Sequence, residues 1–326
     1  MTQQVTVYRW DDEGAPQITK SQGTANEIKT VLDKCLVDGY ASKPALGWTK
    51  VFDDTNGVVF QNGVGGSGGM VRFWPKSANW SLSLDASSPL FFQSAKAYID
   101  SQTAHHEGNF YGLHHPAYGA FEKAWVLIGT STAFYLIMGW VDPNKTDSST
   151  RYLMSSATQY NCSIFVGDII SEIDNDAGRF TAFASAASSN FTSLTWYCTL
   201  DYLNSYLDSY EDKGQKFYSA DNADAFRLYM PRLTFPRSTL NISNSADLLG
   251  YVPVPLVARN IAQIPEIEDP NLPALRGYMP GMVNTLRGLS KSYHWPQTKL
   301  IEGQQYWQLR YAQNDASHIW INMEQW

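Results

Sequence analysis

The chain has 326 residues, is 44% hydrophobic and 14% aromatic, and carries only 17% charged residues. Such a length buries a substantial core without disulfide staples and by itself suggests roughly two domains. Its net charge of −7, with no two Lys or Arg adjacent, is the opposite of the basic face that grips a nucleic-acid backbone, so no nucleic-acid partner is expected.

Cys35, Cys162 and Cys198 share no close spacing. They imply neither a disulfide framework nor a zinc knuckle, and read as small buried apolar residues of a protein made in a reducing cytoplasm. The opening MTQQVTVYRW is not a signal sequence, and no run of 18 apolar residues predicts a membrane span. The many aromatics fit pleated β faces and surfaces buried between subunits equally well.

In chain order, Val5 to Trp10 alternates as a strand, with Val5, Val7 and Arg9 on one face. Thr24 with Glu27 forms a capping box, and Ile28, Val31, Leu32, Cys35 and Leu36 follow at helical spacing. Gly39 is placed to end that helix. Trp48 to Phe52 and Val58 to Gln61 form a hairpin around an Asn56-Gly57 turn. Gly63 to Gly69 is a glycine-rich break before a strand at Met70 to Trp74. Ala124 to Ile128 and Phe134 to Met138 make the strongest hairpin, with Gly129 to Thr132 as its loop. Further strands are expected at Ser163 to Ile173, Phe180 to Ala184 and Ser193 to Thr199.

Asp201 to Asp224 is polar and reads as a surface loop. Tyr251 to Val257 is extended because its prolines exclude helix. Ile264 to Pro273, with three prolines, reads as a loop or arm. Two closing strands, Gln305 to Ala312 and His318 to Met323, turn at Asn314 to Ala316. The expected fold is mainly β with minor α. A small N-terminal α+β module (1–120) precedes a central β-rich, sandwich-like domain (121–250) and a C-terminal β region with a Pro-rich arm (251–326).

Three constellations invite a chemical reading. Gly63 to Gly68 matches G-x-G-x-x-G, yet a strand rather than a helix follows, so a dinucleotide would lack its helix N-terminus. His105, His106, His114 and His115 crowd near Glu107, as metal ligands can. Adjacent residues in extended chain point apart, so a polar loop or subunit contact is the simpler reading. Asp168, Glu172, Asp174 and Asp176 could supply paired carboxylates for glycoside hydrolysis. Asn175 to Gly178 reads as a turn, which accounts for the later acids. Neither a G-x-S-x-G elbow nor an HExxH pair occurs. The reading assigns no catalytic, cofactor-binding or metal residue.

The segments Thr6 to Trp10, Val31 to Tyr40 and Lys43 to Phe52 together resemble a family of virion structural proteins from tailed phages and prophages. That family opens with a strand, a helix ending in a CLVNGY-like segment, and a GWTK-like strand; here these are Cys35-Leu36-Val37-Asp38-Gly39-Tyr40 and Gly47-Trp48-Thr49-Lys50. Lys123 to Ile128 with Phe134 to Leu136 looks like its central hairpin, Phe165 to Asp168 like its FGDF element, and Leu275 to Gly281 like its LRGRLPGL element. The likeness is closest over residues 5–60. Tyr197 to Ser238 has no counterpart, and Ile169 replaces the second aromatic of the FGDF element.

The resemblance implies a non-enzymatic subunit of the tail or baseplate, assembled in the bacterial cytoplasm and finally located in the virion. Its partners would be other virion proteins and copies of itself. Capsid or neck decoration is the alternative, as is an adhesin module that binds host-surface glycan through Trp295, Trp307 and Trp320.

Overall fold

A computed structural model describes residues 2–19, 23–84, 90–113, 122–141, 163–184, 215–217, 226–229, 251–259, 274–285, 298–309 and 319–326. Among them the fold is mainly β with a single short helix, as expected. The N-terminal part comprises β1 (Thr6–Arg9), α1 (Ala25–Asp33), a π-helical turn (Lys34–Asp38), β2 (Thr49–Asp54), β3 (Gly57–Gln61), β4 (Met70–Pro75), β5 (Leu90–Tyr98) and β6 (Ala104–Leu113). Next come β7 (Glu122–Gly129), β8 (Ala133–Val141), β9 (Ser163–Asp168), β10 (Ile170–Ser171) and β11 (Phe180–Ala184). Then follow β12 (Gln215–Phe217), β13 (Phe226–Tyr229), β14 (Tyr251–Arg259), β15 (Ala274–Thr285), β16 (Thr298–Ile301), β17 (Gln304–Leu309) and β18 (Ile319–Asn322).

These strands make three antiparallel sheets. A meander runs β2-β3-β4-β5-β6, and a central sheet runs β1-β7-β8-β9-β11. The third runs β12-β13-β14-β15-β18-β17-β16, with β10 attached to β15. The strand opening residues 1–120 lies in the central sheet, since Thr6 to Arg9 pair with Gly129 to Val126 of β7. One hydrophobic cluster extends from α1 through the central sheet to Trp307 and Ile321.

Helix α1 begins where the sequence places it. The Thr24 hydroxyl accepts from the Glu27 N–H, and the Glu27 carboxylate accepts from the Thr24 N–H at 2.8 Å. Ile28, Val31, Leu32, Cys35 and Leu36 are all fully buried, so the predicted stripe is the core face. The last two fall in the π-helical turn, and Gly39 ends it at φ 77°, a conformation costly for any residue with a Cβ.

The chain then doubles back onto its own helix. Leu46 N–H donates to Cys35 O at 2.9 Å and Trp48 N–H to Leu36 O at 3.0 Å. Trp48 is driven between sheets, edge-on to Phe134 at 5.3 Å and 6.1 Å from Phe180, with its indole N–H on Thr130 O.

Several expectations change. On β1 the fully buried side chain is Tyr8, with Trp10 close behind, whereas Val7 and Arg9 are half-buried, because residues 40–44 cover the Tyr8 face. His105 and His106 lie in strand β6, not in a loop; β6 pairs with β5 along its length, and such pairing overrides the poor strand propensity of Gly108 and Gly112.

The expected strand at Ser163 to Ile173 breaks at Ile169, because β9 pairs with β8 and β11 while β10 crosses to β15. Within Asp201 to Asp224, Gln215 to Phe217 form a strand. Strand β15 holds Pro280 and two glycines that mask it in the sequence, and its ladder to β14 tolerates Pro253 and Pro255 at a register shift. Ser193 to Thr199, Ile264 to Pro273 and Asn314 to Ala316 lie outside the described residues.

Candidate functional site

The densest polar cluster forms where β9 leaves the central sheet. Asp168 at the end of β9 is buried, and its two oxygens accept four hydrogen bonds. The donors are Asn62 Nδ2 at 3.1 Å, Ser67 N at 2.8 Å, Ser67 Oγ at 2.5 Å and Arg179 Nε at 2.9 Å. A carboxylate offers about four lone-pair positions. Asp168 is therefore saturated by its own chain, with none left to take a proton from a substrate.

Three of the four donors bracket the glycine-rich segment, which is thereby pinned to the central sheet. Gly68 N–H donates to Asn62 Oδ1 at 2.9 Å and Gly63 N–H to Ser131 O at 2.6 Å. The Ser131 hydroxyl donates to Val64 O at 2.8 Å, and the Arg179 guanidinium reaches Gly65 O at 3.4 Å. At Gly69 a Cβ would collide with the Phe180 ring, so this glycine serves close packing. The segment reads in sequence as a glycine-rich break; in the structure it is a loop pinned by hydrogen bonds along most of its length, because a buried carboxylate answers its donors.

A second buried pair lies nearby. Asp176 and Arg276 form an ion pair at almost no exposure, and Ser171 Oγ donates to Asp176 at 2.7 Å. Asp176 also accepts from Gly178 N–H at 2.8 Å, within the turn that the sequence places there. The pair ties the loop after β10 to β15, where Glu172 N–H donates to Arg276 O.

Of the four acids proposed as a cluster, Asp168 and Asp176 are thus buried in separate ion pairs, while Glu172 and Asp174 are exposed. The paired-carboxylate arrangement does not form. Asn62, Ser67, Arg179 and Arg276 are the residues sequence reading missed. Their partners lie 11 to 106 positions away, beyond any local spacing rule.

The His105 and His106 rings stand 4.3 Å apart, closer than alternation in an extended strand allows, because His106 adopts φ 54°. Desolvation, then the neighbouring His105 and Lys96, hold the His106 imidazole below its ordinary range. Among the described residues no group of three or more His, Cys, Asp or Glu is placed to hold a metal. His114 and His115 lie outside the described residues.

Trp307 and Trp320 are buried, 0% and 1% exposed, and so are unavailable as sugar platforms; β15, β17 and β18 pack them into the third sheet. Trp295 lies outside the described residues. Cys35 is buried, and burial pushes its thiol well up from the ordinary range, as an inert core residue requires. Cys162 and Cys198 are outside the described residues.

The segment that carries the resemblance forms a clamp. Tyr40 OH donates to Asp12 at 2.8 Å, while Lys43 Nζ reaches both Asp12 and Val7 O at 2.6 Å. Tyr8 OH donates to Pro44 O, and Tyr40 packs edge-on to Trp125 at 6.5 Å. Among the described residues no helix is long and apolar enough to cross a membrane. Compared with known protein families, curated proteins and solved structures, the chain matches none.

Proposed function

We propose that this chain is a non-enzymatic structural subunit of a tailed-phage virion, working through protein–protein contacts in the tail or baseplate. The observation that carries the reading is the segment from Val31 to Phe52, which lies within residues 5–60, where the resemblance is closest. Its distinctive residues are spent on internal clamping: Cys35 in the core, Gly39 at the helix end, Tyr40 and Lys43 on Asp12, and Trp48 between sheets. The carboxylate of the FGDF-like element is likewise consumed by a structural latch, and the arginine of the LRGRLPGL-like element by a buried ion pair. Residues that carry a likeness and have only folding tasks fit a scaffold better than a catalyst. The adhesin alternative loses support, since two of its three tryptophans are in the core.

Immunogold labelling of purified particles with antibody to this chain tests the placement. Label at the tail or its tip is the expected result. Label confined to the capsid overturns the tail placement in favour of head decoration, and unlabelled particles from a lysate rich in the protein overturn the virion reading. Hydrolysis of cell-wall glycan by the purified chain, lost in Glu172→Gln, would overturn the non-enzymatic reading.

A further inference from the structure

The dipeptide Asn-Gly occurs at Asn56-Gly57 and again at Asn62-Gly63, and the fold treats the two differently. With glycine as successor, no side chain shields the backbone nitrogen that can attack the asparagine amide. Asn56 lies in the turn between β2 and β3, half-buried, and its side-chain amide makes no hydrogen bond to any described residue. The Gly57 N–H donates to the exposed Asp54 carboxylate at 3.2 Å, the long end of the normal range. Asn62 is the opposite case. It is buried, its Nδ2 donates to Asp168 at 3.1 Å, and its Oδ1 accepts from Gly68 N–H at 2.9 Å. The Gly63 N–H is held by Ser131 O at 2.6 Å. Gly66 covers the amide so closely that a Cβ there would stand 2.4 Å from Asn62 Nδ2.

We propose that Asn56 is a self-modification site of the folded chain, converting to aspartate and isoaspartate through a cyclic imide, and that the Asp168 latch bars Asn62 from the same reaction. The Gly57 nitrogen, its proton taken by hydroxide, bonds to Asn56 Cγ. The Cγ–Nδ2 bond breaks, and ammonia leaves with a proton drawn from water, which restores the hydroxide. A second water opens the imide at either carbonyl. Water is consumed, ammonia is released, and no oxidant, metal or cofactor takes part.

Arg72 favours the first step. Its Nη2 donates to Asn56 O at 2.8 Å, the oxygen that shares the negative charge once the Gly57 nitrogen loses its proton. Gly57 is also required by packing, since a Cβ there would stand 2.8 Å from Arg72 Nε and 3.1 Å from Phe73 O, so the reactive successor is built into the hairpin. Attack at Asn62 must instead break the Gly63–Ser131 bond and turn the amide away from Asp168 and Gly68, leaving buried polar groups unpaired. That difference should slow conversion at Asn62 at least about a hundredfold relative to Asn56 in the folded chain. Conversion at Asn56 adds a negative charge beside Asp53 and Asp54, and isoaspartate adds a methylene to the backbone between β2 and β3. This chemistry is independent of where the chain sits in a particle.

Peptide mapping by mass spectrometry tests the selectivity. The full chain is incubated in mildly alkaline buffer, folded and in concentrated urea, and conversion is followed at both sites. Unfolded, Asn56 and Asn62 should convert at similar rates, because each precedes glycine. Folded, Asn56 should convert and Asn62 should not. Asp168→Asn loosens the latch and should raise conversion at Asn62 while leaving Asn56 unchanged; if that variant does not fold, the two states of the wild type still decide. A folded chain that converts neither site, or both alike, overturns the proposal. So does an unfolded chain that already separates the two, which would assign the difference to local sequence. A folded Asp168→Asn chain that keeps Asn62 intact overturns the protective part given to the latch.

Discussion

Individual carboxylates in this chain are best understood by counting the donors around them. Asp168 has four, three of them from a loop one hundred or more positions earlier and one from Arg179. Asp168→Asn keeps the volume but turns an amide N–H₂ toward donors and removes the charge opposite Arg179. The expected loss is about 2 kcal/mol, below the roughly 3 to 5 kcal/mol of a fully buried pair because Arg179 is partly solvated. Urea denaturation measures it, and faster proteolysis within residues 63–69 should accompany it.

His106 gives a pH signature of definite sign. Its folded-state pKa lies below the ordinary value of 6.5, so the unfolded chain binds the proton more readily. Stability should therefore fall as pH drops from that ordinary value through the depressed one, and stay level above it. His106→Asn, which tolerates φ 54°, should flatten that part of a pH–stability curve. A slope that survives the substitution would locate the titration elsewhere. At this scale the sequence was partly legible. The Thr24–Glu27 box and the Asp176 turn are local and could be read, whereas Arg276 and Ser67 carry no sign of partners supplied by another sheet.

Among the elements, the helix was the easiest to foresee, since its cap, stripe and stop are all written within sixteen residues of chain, Thr24 to Gly39. Thr24→Ala removes the hydroxyl that accepts the Glu27 N–H and should cost about 1 kcal/mol. Chemical denaturation checks the loss, and hydrogen exchange should quicken first at the amides of Glu27 and Ile28. Strands set off by plain turns, such as β3 after Asn56-Gly57 and β8 after Gly129 to Thr132, were equally readable. Others were not, because a strand is defined by its neighbour. Strand β6 carries Gly108 and two adjacent histidines, and β15 carries Pro280, yet each is held by a long ladder. The Ile169 break was invisible for a related reason: β9 and β10 differ in which sheet receives them, not in composition.

The whole molecule is held by a few side chains that reach between sheets. Trp48 joins the helix-bearing segment to the central sheet, and Tyr135 OH donates to Pro280 O of β15 at 2.8 Å. Trp326 fills the space beside that bond, edge-on to Tyr135 at 5.3 Å and against Gly281, where a Cβ would strike its indole. Trp326→Ala should cost about 2 kcal/mol, less than a fully buried tryptophan because the residue is partly exposed. Far- and near-ultraviolet circular dichroism should still melt together, since the sheets share one core. Separate transitions would mean that Trp326 alone couples the third sheet to the rest.

Beside that tryptophan, Gln3 and Trp326 exchange hydrogen bonds at 2.8 and 3.0 Å, and Val5 N–H donates to Glu324 O at 2.9 Å. The pairing joins segments more than three hundred positions apart in the chain, which bears on the order of events during synthesis. A ribosome adding about 5 to 20 residues per second leaves residues 3–5 waiting on the order of tens of seconds for their partner. Strand β1 can meet β7 far sooner, so the central hairpin secures the early chain while the third sheet is still being made. Contacts of such separation form slowly and late. Closure of this pairing therefore comes late in folding, and a chain stalled before Glu324 would expose the backbone donors of Gln3 and Val5.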